Sequence, residues 1–444
     1  QSLSGRFEAV MGNEKILNNK NIKLPHILSN GMVLQRNKQV KIWGWAERKK
    51  DKAKQEVIIN FNNQEYKATP DRSGKWEINL PPQPAGGPYT MTVKLNGNDN
   101  DIITINNILI GEVWLCSGQS NMEISMKRAC HLYEKEIEQC ENNEIRYFEV
   151  PEQYDFSQPQ SDLPGGDWQL TDPENILEFS AVAYFFAREL YNRYQVPIGI
   201  INASVGGSPI QAWLSKNVIQ DYPQYLETAE KYKDKKYIEK IIKKDEKRVD
   251  TWHKKLKKKD KGLPDTGQTW YQPDINTEKW STMEIPTDFD NEGLSDFKGS
   301  IWFQKEILIS KQALDQADKS VRLWMGRIVD SDTVYINGKF VGNTEYKYPP
   351  RRYDFSKEIL KPGRNTISLR IVCNEGQGGF IKDKPYKLVV GNNVLDLEGK
   401  WKYKIGARIE ESIPDTTFVE WKPMGLFNGM INPIKDYTIQ GVNW

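Results

Sequence analysis

Between Leu24 and about Ile110, apolar and polar positions alternate in short runs: Val40 to Trp45, Glu56 to Phe61, Trp76 to Leu80 and Tyr89 to Leu95. Turn-forming clusters separate them, Asp71-Arg72-Ser73-Gly74, Pro81-Pro82 and Gly86-Gly87-Pro88. A period of two with this punctuation predicts half-buried strands. The segment reads as a small β-sandwich.

At Ile108 the pattern changes. An apolar strand, Ile108 to Cys116, runs into the polar turn Ser117-Gly118-Gln119-Ser120-Asn121 and then into helical stretches. Ile145 to Val150 is strand-like, Ser180 to Tyr194 has helical spacing with Ser180 as a possible N-cap, and Pro197 to Val205 reads as a buried strand. Gly206-Gly207-Ser208-Pro209 follows directly and opens another helix-like start. Strand, turn and helix in alternation predict an α/β layer on a parallel sheet.

From about Tyr225 to Lys261 the chain is rich in Lys, but Ile238, Ile242, Val249, Trp252 and Leu256 keep helical spacing beneath the charge. This predicts a solvated amphipathic helix, not a basic binding patch. Gly262 to Gly267 breaks it, and strands dominate again: Ser300 to Ile309, Val321 to Met325, Thr333 to Ile336, Asn365 to Val372 and Lys387 to Val390. A second β domain of sandwich or jelly-roll type is expected there. Tyr437 to Trp444 reads as a buried strand entering a loop.

With 444 residues the chain has room for two to four domains. The 62 Lys and Arg against 60 Asp and Glu leave a net charge of +2, so no global field draws in nucleic acid or an anionic membrane. No run approaches the roughly 18 apolar residues of a membrane-spanning helix. The 14 Trp and 20 Tyr suit cores and also sugar-facing surfaces. Four cysteines do not form a disulfide framework or a zinc spacing. Cys130 and Cys140 can pair, while Cys116 and Cys373 lie in apolar runs as buried thiols. Gln1-Ser2-Leu3 has no initiator Met, compatible with a removed leader or tag.

Ser120 lies at a strand-to-helix turn on the expected carboxyl edge of a parallel sheet, where open α/β folds place ligands. That geometry exposes a nucleophilic hydroxyl beside backbone N–H donors; the competing reading makes Ser120 a helix N-cap. Gly206-Gly207 ends a second strand, so an unhindered N–H there can donate to an oxyanion, or the pair forms an ordinary tight turn. The candidate bases are three histidines. His26 lies in the N-terminal β region, His131 on a polar helix, and His253 on the Lys-rich helix, where Asp250 and His253 are expected to form an i,i+3 surface pair.

Gly111-Glu-Val-Trp-Leu-Cys-Ser-Gly-Gln-Ser-Asn-Met122 resembles the nucleophile block of the sialate O-acetylesterase family, SGNH-type carbohydrate esterases with acetylxylan esterases as near relatives. Leu24-Pro-His-Ile-Leu-Ser-Asn-Gly-Met-Val-Leu-Gln35 with Ile42-Trp-Gly-Trp45 resembles the family's N-terminal β domain. Ile198-Gly-Ile-Ile-Asn-Ala-Ser-Val-Gly-Gly-Ser-Pro-Ile-Gln-Ala-Trp213 resembles its oxyanion block. Asp332-Thr-Val-Tyr-Ile-Asn-Gly-Lys-Phe-Val-Gly342 and Tyr348-Pro-Pro-Arg-Arg-Tyr353 are similar to a galactose-binding-like jelly roll inserted in many members. Leu426-Phe-Asn-Gly-Met-Ile-Asn-Pro433 is similar to the resumed esterase domain.

The resemblance implies a flavodoxin-like SGNH-hydrolase α/β fold, with residues 1–108 an N-terminal β-sandwich, 109–265 the first part of the esterase domain, 266–409 the inserted jelly roll and 410–444 the esterase domain resumed. It makes Ser120 the nucleophile, its backbone N–H and Gly206 the oxyanion hole, and Gln119 and Asn121 members of the nucleophile block. No cofactor or metal is implied. The substrate implied is an O-acetylated glycan, foremost a 9-O-acetylated sialic acid, met in a secreted, periplasmic or extracellular setting. The family's Tyr-Gln-Gly-Glu-x-Asn loop and its Asp-x-His or Asp-x-x-His block, which carries the base, are expected beyond Trp444. The reading from another class is a non-catalytic carbohydrate-binding protein, whether a fragment or a degenerate esterase. In it, Arg351 and Arg352 meet a carboxylate such as that of sialic acid, or else form a surface pair after Pro349-Pro350.

Overall fold

The computed structural model describes residues 21–47, 55–96, 102–266 and 269–444. Gln1-Ser2-Leu3 and Gly267 lie outside the described residues. The chain divides into two compact units, Gln1–Ile238 with Phe418–Trp444, and Glu239–Thr417.

In the first unit, the alternating N-terminal runs form strands in two sheets. Ile22–Lys23, Val40–Ala46 and Lys75–Leu80 make a three-stranded antiparallel sheet, while Val57–Phe61, Gln64–Ala68 and Gly86–Leu95 belong to a larger one. The strand expected over Ile108 to Cys116 is the second half of a 17-residue strand, β1 (Ile102–Gly118). Its first half pairs antiparallel with Gly86–Leu95. Its second half pairs in parallel with β3 (Ile198–Ser204), which pairs in parallel with β2 (Asn142–Glu149).

All seven residues of β3 are buried, as expected for a strand with parallel neighbours on both sides and cover on both faces. Helix α1 (Ser120–Glu123) follows β1, and α2 (Ala181–Tyr194) precedes β3 with Ser180 as its N-cap, the Oγ accepting from the Ala183 N–H at 3.1 Å. Ala183, Tyr184 and Ala187 of α2 pack on Cys116, Ile198 and Ile200. The C-terminal strand, Gly441–Asn443, pairs in parallel with β1. It is a half-exposed edge strand and not the buried strand expected, because only β1 flanks it and Val442 points outward at 55% exposure.

In the second unit, a six-stranded and a four-stranded sheet, both antiparallel, enclose one core that contains Ile301, Phe303 and Leu369 from one and Leu323, Met325 and Leu388 from the other. The Lys-rich stretch forms two helices, Pro223–Tyr232 and Lys235–Lys259. Of the expected apolar stripe, only Trp252 and Leu256 are buried, against Val372, Ala407 and Ile409, and Ile238, Ile242 and Val249 are half-buried.

Two further expectations are corrected. Cys130 and Cys140 are both thiols; Cys130 is half-buried in the turn Cys130–Leu132 and Cys140 is buried, with burial pushing its thiol up to about 11. Arg351 is neither a surface residue nor open to a ligand. Its guanidinium is fully buried, donating to Asp332 Oδ1 at 2.6 Å, the Asp330 carbonyl at 2.8 Å and the Pro349 carbonyl at 2.6 Å.

Candidate active site

The carboxyl ends of β1, β2 and β3 lie side by side, with Ser204 beside Gly118 and Asn202 beside Glu149. Open α/β sheets present ligand-binding groups at this edge because the strands hand over to exposed turns there. Ser120 sits just past the end of β1 as the first residue of α1 and is exposed.

It is not the N-cap. Gln119 holds that position, its carbonyl accepting from the N–H groups of Met122 at 2.9 Å and Glu123 at 3.0 Å. Ser120 Oγ instead donates to Gln119 Oε1 at 3.2 Å. The hydroxyl therefore takes no part in capping the helix, which removes the structural alternative raised by its position. Gln119 and Asn121 are exposed on either side.

The turn after β3 is held from four directions. The Val205 N–H donates to the Gly118 carbonyl at 3.1 Å, joining the two turns. Ser208 Oγ donates to the Val205 carbonyl at 2.6 Å and accepts from the Trp213 indole at 2.9 Å. The Trp421 indole donates to the Gly206 carbonyl at 3.0 Å, and Phe418 stacks on Trp421 with centroids 3.9 Å apart. Gly207 has φ +73 with the Trp421 ring directly over it, so only glycine suits both the backbone and the space. Glu123, one helical turn after Ser120, reaches over Gly206, so a carboxylate of α1 stands against the turn that follows β3.

A second carboxylate closes the edge at the end of β2. Tyr147 donates its phenol to Glu149 Oε2 at 2.5 Å, and Asn202 Nδ2 donates to the same oxygen at 3.1 Å. Ser204 Oγ donates to Asn202 Oδ1 at 3.2 Å, and the Ser180 N–H donates to the Tyr147 hydroxyl at 3.0 Å. Surrounding protein pushes the Glu149 carboxyl up to about 7. The Tyr147 and Asn202 donors pull it back down, and the Glu123 charge pushes it further up. Part of the Glu149 surface is open to solvent, which moderates the effect of burial.

The histidines are occupied elsewhere. His26 Nδ1 pairs with Asp162 at 3.1 Å, an interaction that raises its pKa. His131 lies in the short 3₁₀ helix Cys130–Leu132. His253 is exposed on the Lys-rich helix beside Trp252. Asp250 pairs with Lys254 at 2.5 Å and not with His253, because the i,i+4 position offers it a permanent charge. Among the described residues, no group of three His, Cys, Asp or Glu side chains is placed to hold a metal, and no helix is long and apolar enough to cross a membrane.

Sequence reasoning passed over Glu123, Glu149, Asn202 and Trp421. Glu123 carried a signal, since a residue three after Ser120 shares its helix face. Trp421 carried none, being 215 residues from its hydrogen-bond partner Gly206.

Residues 110–245 match the family model described as carbohydrate esterase, sialic acid-specific acetylesterase. The sialate O-acetylesterase of Rattus norvegicus is 31% identical over 156 residues, which are 33% of this chain and 29% of the relative. That of Homo sapiens is 34% identical over 151 residues, 32% of this chain and 29% of the relative. The match thus spans less than a third of the length of these curated relatives. A solved carbohydrate acetylesterase from Xanthomonas citri is 35% identical, covers 45% of this chain and 44% of its own, and superposes with a TM-score of 0.41. The similarity to the sialic acid-specific acetylesterase family of carbohydrate esterases lies in residues 110–245, which hold β2, β3, the end of β1 and both turns at their carboxyl edge.

Proposed function

We propose that the first unit removes O-acetyl groups from a glycan, foremost from position 9 of sialic acid, by a serine acyl-enzyme route. Ser120 Oγ attacks the acetyl carbonyl, the Ser120 and Gly206 N–H groups receive the oxyanion, and the sugar hydroxyl leaves with a proton. Water then hydrolyses the acetyl-serine to acetate and restores Ser120. The base that takes the serine proton is, on the family resemblance, the His of an Asp-x-His or Asp-x-x-His block.

The observation that carries this reading is the position of Ser120. Its hydroxyl is exposed, serves no cap, and stands just past the carboxyl end of β1, whose neighbour β3 ends in the turn that holds Gly206. An acetyl group is small, so selectivity among acetylated sugars rests on contacts outside the reacting atoms.

Two measurements test it together, using wild type and Ser120→Ala: covalent labelling by a fluorophosphonate, and acetate release from 9-O-acetylated sialic acid and from acetylated xylan. Labelling of wild type alone supports the nucleophile, and Ser120-dependent release identifies the substrate. Equal labelling of both proteins, or release that Ser120→Ala leaves unchanged, overturns the assignment.

A further inference from the structure

In an acetyl ester the alcohol oxygen is bonded to the carbonyl carbon. A carbonyl oxygen held by the Gly206 N–H therefore brings the first atom of the alcohol close behind it, and whatever recognises that alcohol stands around the turn that follows β3. An aromatic pair stands there. The Trp421 indole donates to the Gly206 carbonyl at 3.0 Å, and its ring lies against Gly207. Phe418 stacks on the indole with centroids 3.9 Å apart and an interplanar angle of 16°.

Phe418 precedes the short helical turn Val419–Trp421. Val419, at 3% exposed, anchors that turn in the interior, whereas Phe418 is 40% exposed. A ring stacked so closely on an indole has one face covered, so the open surface of Phe418 is its outer face and edge. Water on a flat apolar face is unfavourable, and a second flat apolar surface laid over it relieves that. The C–H face of a pyranose is such a surface, and its hydroxyls need acceptors beside it. Glu123 is exposed and reaches over the same Gly206, so its carboxylate oxygens supply them. An aromatic face and a carboxylate attached to one peptide suit a sugar better than a plain alkyl or aryl alcohol, which brings no further hydroxyls. Glu123, Gly206, Phe418 and Trp421 all belong to the first unit.

We propose that Phe418, backed by Trp421, is the platform on which the pyranose ring of the acetylated substrate stacks. The inference rests on the reading of Ser120 as nucleophile and adds to it the residue that selects the sugar. The acetyl group is the same on every acetylated glycan, so only contacts beyond it tell one ester from another. Phe418 is a specificity-determining residue and does not touch the reacting atoms. It also props Trp421, and the two roles are separable: leucine keeps apolar bulk over the indole and loses the flat face, while tyrosine keeps both.

Labelling of Ser120 by a small alkyl fluorophosphonate, slowed by a competing acetylated sugar, tests the proposal in wild type, Phe418→Leu, Phe418→Ala and Phe418→Tyr. The competitors are 9-O-acetylated sialic acid and acetylated xylobiose. The rate without sugar reads the nucleophile and its turn; the sugar concentration that halves the rate reads the platform. Phe418→Leu and Phe418→Ala are expected to raise that concentration at least about tenfold for one or both sugars, with Phe418→Tyr within about twofold of wild type. The sugar that loses more is the one the platform fits. A halving concentration unchanged in Phe418→Leu and Phe418→Ala, or wild-type labelling that neither sugar slows, overturns the platform and leaves the nucleophile standing. No labelling of wild type overturns the nucleophile, and the platform with it.

Discussion

The indole N–H of Trp421 donates to the Gly206 carbonyl at 3.0 Å, and the same ring lies over Gly207. One side chain from the last 30 residues thereby fixes the peptide unit whose neighbour is the candidate oxyanion donor. Preorganised donors act without rearrangement at the moment of reaction, so loosening this turn slows acylation of Ser120. Trp421→Ala is expected to lower the fluorophosphonate labelling rate about tenfold or more, since removing an oxyanion donor outright costs about 10²–10³. Trp421→Phe keeps the ring over Gly207 and loses only the N–H, so it should fall between the two. Stopped-time labelling compares them, and a wild-type rate in Trp421→Ala would show that the turn holds without the indole.

The adjacent glycines should respond differently to the same change. An added Cβ on Gly206 meets the far end of the Glu123 side chain, which is flexible and exposed. Gly206→Ala is therefore expected to cost less than about 1 kcal/mol in stability. Gly207 has φ +73, and its Cβ would drive into the Trp421 indole. The left-handed backbone alone costs about 1–2 kcal/mol for alanine, so Gly207→Ala should lose at least about 2 kcal/mol in all. Urea denaturation of the two variants, with equal m-values, checks the contrast.

The helix Ala181–Tyr194 and the buried strand Ile198–Ser204 were legible because their signals are local: a serine cap before a 3.6-residue period, and an apolar run between turn residues. Ser120 and Gly206 were legible for the same reason, each being the turn that ends such a strand. The sequence misled where a side chain's partner is distant. Arg351 follows two prolines and reads as surface, yet it is paired with Asp332, 19 residues earlier. Trp421 and Glu149 acquire their partners Gly206 and Asn202 only when segments far apart in the chain become neighbours. Tyr437 is buried as expected, but the burial of Gly441–Asn443 was misread because periodicity reports which faces alternate, not whether a strand has a neighbour on each side.

Arg351 and Asp332 form an ion pair at 2.6 Å with neither side chain exposed, and the Tyr353 hydroxyl donates to the second Asp332 oxygen at 2.6 Å. Removing one partner strands the other charge out of water. Asp332→Ala is expected to destabilise the second unit by about 3–5 kcal/mol. Arg322→Ala removes an exposed pair with Asp354 and should cost about 0–1 kcal/mol. Calorimetry should show a lowered transition for the first variant and a near-native one for the second.

Glu149 makes the pH dependence of the edge testable with a defined sign. Its carboxyl in the folded chain is pushed up to about 7 from an ordinary value of 4.5, mainly by the protein around it. Between those values the folded state keeps a proton that the unfolded state has released, so stability falls as pH rises through the window. Below about 4.5 both states are protonated, and above about 7 both are ionised, so the slope from this group vanishes at either end. Glu149→Gln carries no titrating proton but keeps an acceptor for Tyr147 and Asn202. The difference in melting midpoint between wild type and Glu149→Gln should therefore shift in favour of the variant as pH rises from about 4.5 to about 7. A constant difference across that range would mean that solvent at the open side of Glu149 holds its carboxyl at the ordinary value. Glu149 would then be an ionised carboxylate accepting from the neutral Tyr147 phenol and the Asn202 amide.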